Sequence, residues 1–359
     1  MKKLKLHTFH EKAGFSFKNV RGWTIPSVYD FKNELDTARN NVVLLDRSYL
    51  GKILVKGKDG LNLMDRISTN DMKELIVGTA CDTIFCTPKG RIVDLVKILQ
   101  YDDHLLLISS YIDTDHLMEW INRFIILDDV KLEDSSNHFC WFTLIGSQAR
   151  RFVQQSSGQT IVEEDEIIWF NRDSVIFPAL LNSNFNLPAY NFCLPVNQVD
   201  SIIEWLVQEI KAFGGALIGD DVFQILRIES GMPDWGTELT EQYNPHEARL
   251  LDAVSFTKQC YTGQEVIARL DTYDKVQKYL MVAELDQRLY TEPPFQIFYD
   301  NEQIGQLTSY AYNPVSDSCV GLAYIKKNLA VADFDILIEV KAGDKTVTGK
   351  LKIPPPKSE

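Results

Sequence analysis

The chain has 359 residues, 45% of them hydrophobic and 24% charged, the composition of a soluble globular protein with room for two or three cores. Its 50 acidic against 37 basic side chains give a formal net charge of -13, a field that repels phosphate backbones and anionic lipid surfaces and disfavours nucleic-acid binding as the main task. Six cysteines, at positions 81, 86, 140, 193, 260 and 319, include no close CxxC pair, and neither a signal-like segment nor an apolar run of the roughly 20 residues needed for a membrane span is seen, so the expectation is a reducing cytosol.

In chain order, "VLLDRSYLGKILVKGKDG" contains one apolar strand-like run and a second from Lys52 to Lys56, closed by a turn at Asp59 and Gly60. "LNLMDRIS" then spaces Leu61, Met64 and Ile67 as on a short helix. Cys81 and Cys86 stand five apart with no histidine near them, which favours ordinary buried thiols over a metal pair. "RIVDLVKILQY" reads as a strand, with Ile92, Asp94, Val96 and Ile98 on one face if alternation holds; the aspartate then needs a partner or a cavity. It is either a satisfied acceptor in the core or a charge that steadies developing positive charge.

"HLLLISS" is a buried strand, and "DTDHLMEWINRF" places Leu117, Ile121 and Phe124 on a helical face. No glycine-rich phosphate fingerprint follows any strand, so a dinucleotide fold has little support. The acidic run Glu163 to Glu166 reads as a solvated turn. "DSIIEWLVQEIKAFGG" is a helix in which Ser201 caps the first turn, Glu204 completes the capping box, Ile202, Leu206, Ile210 and Phe213 form the buried side, and Gly214 ends it. From about Tyr273 onward, short strand-like runs alternate with turns, giving a division into residues 1–272 and a C-terminal β module at 273–359.

Two stretches concentrate chemistry. In "LRIESGMPDWGTEL", Arg227 and Glu229 share a face if the segment is extended: either a salt-bridged strand end, or a guanidinium fork for a planar or anionic ligand. In "KQCYTGQEVIARLD", Gly263 suits a tight turn, Gln264 offers donor and acceptor, and Cys260 becomes a thiolate only if Lys258 and a helix start lower its pKa. No histidine lies in the stretch, and a Cys-His pair requires His246 or a more distant residue to fold beside it. On physical grounds Cys260 is a buried or weakly reactive thiol.

These segments resemble the glycine-cleavage T-protein (aminomethyltransferase) superfamily, and within it the YgfZ-like folate-binding branch associated with iron-sulfur cluster maintenance. Lys258, Cys260, Tyr261, Gly263, Gln264 and Glu265 match that branch's Lys-Gly-Cys-Tyr-x-Gly-Gln-Glu run, with Gln259 replacing its first glycine and Arg269 similarly placed downstream. "GWTIPSVYD", "LLDRSYLG", "STND", "TPKGRIVDL", "LRIESGMPDWGTEL" and "GQLTSYAYNP" are similar to further family blocks, covering about 20 to 330.

The resemblance implies an α+β fold: a three-domain cloverleaf of mixed α/β domains and a C-terminal β-barrel around a central folate site. It implies tetrahydrofolate or a one-carbon derivative as cofactor, with Asp94, Arg227, Glu229, Tyr261 and Gln264 as ligand-binding candidates and Cys260 and Asp94 as catalytic ones. No metal site is expected. Where T-proteins have Gly-Gly-x-x-Asp-Asp, this chain has Lys89, Gly90, Arg91, Ile92, Val93 and Asp94, one carboxylate of the pair; Leu187 falls near the pteridine glutamate, and Tyr49 replaces a histidine. These departures favour a cytosolic folate-binding protein supporting iron-sulfur assembly or repair, with reduced folate and cluster proteins as partners and neither nucleic acid nor membrane. The alternatives are tetrahydrofolate-dependent aminomethyl transfer and a non-folate scaffold in which Arg227 and Glu229 pair.

Overall fold

The computed structural model describes every residue except 74, 111–112, 162–166, 332–335 and 358–359. The acidic run Glu163 to Glu166 therefore lies outside the described residues. Three sheets dominate. A six-stranded sheet is ordered Ile167–Arg172, Val175–Leu181, Ala189–Pro195, Phe139–Ile145, Val43–Asp46 and Ala216–Leu217. A five-stranded sheet is ordered Ala80–Cys86, Ile92–Gln100, His104–Ser109, Lys52–Lys56 and Lys131–Asp134. The chain then closes a six-stranded barrel between Lys278 and Lys352. A small sheet near the N-terminus pairs Trp23–Pro26 with Phe17–Val20 and Lys2–Lys3.

The unbroken apolar run around Val43 is explained by burial on two sides. Val42 and Leu44 pack under the helices Ala149–Ser157 and Val199–Ala212, whereas Val43 and Leu45 face the opposite core. That second core is the hub of the molecule. It joins Val43 and Leu45 to Ile84, Cys86 and Ile92 of the five-stranded sheet, to the helix Asp220–Glu229, and to Leu280, Leu322 and Tyr324 of the barrel. Three units sharing one apolar junction bury far more surface than any covers alone.

Three local expectations change. The helix begins at Val199, so Ser201 lies inside it and donates to the Gln198 carbonyl instead of capping; its buried side and its stop at Gly214, with φ of 85°, agree with the spacing. Arg227 and Glu229 belong to the helix Asp220–Glu229, not to an extended segment, so a spacing of two turns them to different sides. Finally, the strand Ile92–Gln100 carries a bulge: Asp94 pairs with Phe85 and Ile92 with Cys86, leaving Val93 extra. Ile92 is thereby turned into the central core, while Asp94 shares the face of Phe85 and Val96. Cys81 and Cys86 pack into different cores, as separate thiols in one strand.

Candidate functional site

Asp94 is fully buried on the face covered by the helix Thr114–Asn122. Its two oxygens accept from the hydroxyls of Ser109, at 2.5 Å, and Ser110. Burial pushes the carboxyl up to about 7, against the opposing effect of the two serine hydrogen bonds. "HLLLISS" thus ends in a pair of hydroxyls that the sequence reading passed over, although two consecutive serines closing a buried strand opposite an aspartate were the available signal.

The bulge beside Asp94 opens onto a cleft of about 160 Å3 walled by Val93, His116, Trp235, Leu239, Thr240 and Glu241. Trp235 also lines a wider cleft of about 860 Å3, bounded by Arg21, Trp23, Asp113, Thr114 and Asp134. Arg21 holds the indole in place: its guanidinium lies 5.0 Å from the ring centroid, and it donates to the Trp235 carbonyl and the Asp234 carboxylate. Trp235 thus stands in the lining of both clefts, beside apolar groups in the smaller one and mostly charged and polar groups in the wider one.

Behind the loop that carries Trp235 lies Glu238, with no solvent exposure. It accepts from the Asp234 amide at 3.0 Å, the Thr237 hydroxyl at 2.8 Å, the Arg227 guanidinium at 3.4 Å and the barrel's Thr308 hydroxyl. Arg227 also donates to Gln224 and to the Met232 carbonyl. The guanidinium therefore serves a protein network tying helix, loop and barrel together. The sequence reading quoted Glu238 within a motif but did not choose it.

The other candidates spread out. Glu229 meets Arg39 at 2.6 Å, and burial raises its pKa while Arg39 lowers it; the Arg227–Glu229 pair of the scaffold reading is not formed. Tyr261 is buried in the central core with Cys86 and Ile92. Gln264 folds back on the Lys258 carbonyl at 3.4 Å.

The stretch that contains Cys260 is fastened at both ends. The Lys258 ammonium donates to the carbonyls of Asp65, Ser68 and Asn70 and pairs with the Asp65 carboxylate at 3.0 Å, capping the C-terminal end of the helix Gly60–Ile67. Gly263, with φ of 87°, lies so close to the Thr87–Gly90 turn that a Cβ there falls 2.7 Å from the Thr87 carbonyl oxygen. The "TPKGR" and "CYTGQE" segments thus form one packed unit. Cys260 is left exposed on it, with Lys258 directed to backbone carbonyls, the next helix starting only at Gln264, and His246 bonded to the Ile267 carbonyl. Gln259 is exposed and outside the left-handed region, so its backbone does not require the motif glycine.

Residues 6–258 match the family described as the GCVT N-terminal domain. A chloroplastic Arabidopsis thaliana protein, named only provisionally as a transferase, is 28% identical over 326 residues, covering 90% of this chain and 74% of that protein. The aminomethyltransferase of Shouchella clausii is 27% identical over 344 residues, covering 94% and 93%. The crystal structure of the Bartonella henselae glycine cleavage system aminomethyltransferase T superposes with a TM-score of 0.81, covering 98% of this chain and 97% of that one at 18% identity. The architecture is thus the α+β cloverleaf with a C-terminal β-barrel. Among the described residues no helix is long and apolar enough to cross a membrane.

Proposed function

Because the chain belongs to the family defined by the GCVT N-terminal domain, we propose that it is a folate-dependent transferase that passes an aminomethyl-type one-carbon unit to tetrahydrofolate. The observation that carries this reading is Asp94: a buried carboxyl poised to titrate near neutrality, behind the wall of an aromatic-lined cleft. Near-full-length similarity to aminomethyltransferases supports the same class.

Tetrahydrofolate, when bound, supplies the ring amines that take up the one-carbon unit. Trp235, Ile92, Val93 and Leu239 would seat its flat ring and keep water from its faces, with Thr240, Glu241 and His116 as polar neighbours. Asp94 would hold or release a proton at Oδ1 and Oδ2, with the hydroxyls of Ser109 and the partly exposed Ser110 donating to it. Orientation and charge stabilisation carry the reaction, and no covalent protein nucleophile enters. The test is ammonia release from an aminomethyl-lipoyl carrier: tetrahydrofolate should stimulate it, and Asp94→Asn should abolish most of the stimulation. Release no greater than the carrier-only background removes the transferase reading.

A second reading, a folate-binding helper of iron-sulfur assembly or repair in the cytosol, draws on the exposed Cys260 thiol held on a rigid two-segment platform. Replacing Cys260 with serine and measuring folate binding separately from the activity of a cluster-dependent client tests it, and unchanged client activity removes the thiol role. Calorimetric titration with tetrahydrofolate separates both readings from a scaffold, for which no binding at millimolar concentration is expected.

A further inference from the structure

A charge withdrawn from water needs a counter-charge: Glu238 has Arg227, Asp46 has His10 at 3.0 Å, and the buried Lys258 ammonium has Asp65. Arg47 differs. It directly follows the strand Val43–Asp46, is 6% exposed, and holds its guanidinium over the Phe223 ring, 4.7 Å from the centroid. Its Nε has no hydrogen-bond partner, and the polar side chain that meets it is the Tyr49 hydroxyl.

The carboxylates around it are committed elsewhere. Asp46, the preceding residue, takes the His10 ring and the Ser48 amide, the latter at 2.9 Å. On the helix Asp220–Glu229 that supplies Phe223, Asp220 and Asp221 both pair with Lys18, at 2.6 and 2.7 Å. Asp234, whose charge reaches Tyr49 from the Trp235 loop, pairs with Arg21 at 3.3 Å. Among the described residues no carboxylate forms an ion pair with Arg47. A cation held off water by a phenyl ring and a phenol, with the neighbouring acids already taken, is stabilised by an anion brought in from outside.

We propose that Arg47 and Tyr49 form a binding site for a small monocarboxylate, apart from the candidate folate cleft. The ligand class follows from the surroundings. The planar guanidinium fork matches a carboxylate edge, and Tyr49, whose titration burial pushes up to about 12, stays a hydroxyl donor beside it. One cation neutralises one charge, so a phosphate dianion would carry excess charge against the Phe223 wall. Arg47 and Tyr49 keep only 6% and 8% of their surface, which admits a small acid and excludes a bulky one. The site does not rest on the folate reading, since neither residue lines the clefts around Trp235.

The experiment is calorimetric titration of the whole protein with acetate and propionate, with methylammonium and inorganic phosphate as charge controls, beside urea denaturation without ligand. The two carboxylates should bind at about millimolar concentration or below, and the controls should not. Arg47→Met, which keeps the stem and removes the charge, should weaken carboxylate binding by about tenfold or more, the scale of one charge-assisted contact. Its urea midpoint should hold or rise, because an uncompensated buried charge is removed with nothing left unpaired. Tyr49→Phe should weaken binding about two- to fivefold and guards against a misfolded first variant.

No carboxylate binding up to about 10 mM, or binding indifferent to both substitutions, overturns the site. Phosphate binding as tight as acetate binding overturns the ligand class. A urea midpoint that falls in Arg47→Met, together with unchanged binding in Tyr49→Phe, makes the guanidinium a structural group and overturns the proposal. Carboxylate binding by a protein that takes no tetrahydrofolate keeps this site and sinks the folate reading.

Discussion

Asp94 and Glu238 are both fully withdrawn from solvent, and their partners differ in kind. Glu238 faces a guanidinium, a backbone amide and two hydroxyls, and its neighbours belong to a helix, a loop and the barrel. Asp94 has hydrogen bonds from two serine hydroxyls and the Leu95 and Ser110 amides, among the described residues no cation pairs with it, and burial carries its titration to about 7. A buried carboxylate given a cation is committed to one charge state and becomes a fastener. Given uncharged donors, hydroxyls and backbone amides, it can hold a proton or release it without dismantling its surroundings. On the proposed function Glu238 is a fastener and Asp94 the group that handles the proton, and each proposal can be broken.

The largest effect is expected from Glu238→Ala, which strands Arg227 without its carboxylate: about 3–5 kcal/mol of stability should be lost in urea denaturation. A loss below about 1 kcal/mol would mean that the hub does not hold the barrel to the helix. Asp94→Asn should instead leave the fold standing and lower tetrahydrofolate-dependent ammonia release by about 100-fold or more.

Asp94 also makes a pH prediction. Its folded-state pKa is raised, so between about 4 and 7 the native protein binds more protons than the unfolded chain, and stability falls as pH rises through that window. The slope attributable to this group approaches about 1.4 kcal/mol per pH unit, and it should vanish from the denaturation profile of Asp94→Asn. An unchanged profile would place the neutral-range titration elsewhere.

Much of this was legible in the sequence because hydrophobic period and turn residues report local burial directly. The strand Lys52–Lys56 and the buried side of the helix ending near Gly214 follow from such patterns. The family blocks carried the cloverleaf, which no local pattern supplies. Partnership was less readable. Two charges in "LRIES" read as one pair, but the helix separates them and sends Arg227 to Glu238 and Glu229 to Arg39, 190 positions away. A one-residue bulge at Val93 likewise defeated strict alternation and turned Ile92 from Asp94's face into the central core. The density of "KQCYTGQE" suggested a reactive site, yet most of its groups fasten backbone: Lys258 caps a helix end, Tyr261 fills the core and Gly263 permits close approach.

That last point gives a smaller test. Gly263→Ala adds a Cβ against the Thr87 carbonyl at a left-handed position, so about 2 kcal/mol of stability should be lost and the 87–91 turn loosened. Amide exchange in that turn should rise with the loss. Exchange that stays slow would show that the two segments are held together by something other than this contact.

Glu229 supplies the intermediate case, and the smallest effect. Like Glu238 it has a cation, Arg39 at 2.6 Å, but the two side chains keep 46% and 29% of their surface in solvent, where water and salt screen the pair and mobile side chains oppose it. Glu229→Gln should therefore change stability by less than about 1 kcal/mol, and less still at high salt. Because the carboxylate points to Arg39, the same substitution should leave tetrahydrofolate affinity within about twofold of wild type. A tenfold loss would mean that Glu229 exchanges Arg39 for the ligand on binding. The order of the three carboxylates would then need revision, with cation pairing at a half-exposed position marking a reserve of binding groups.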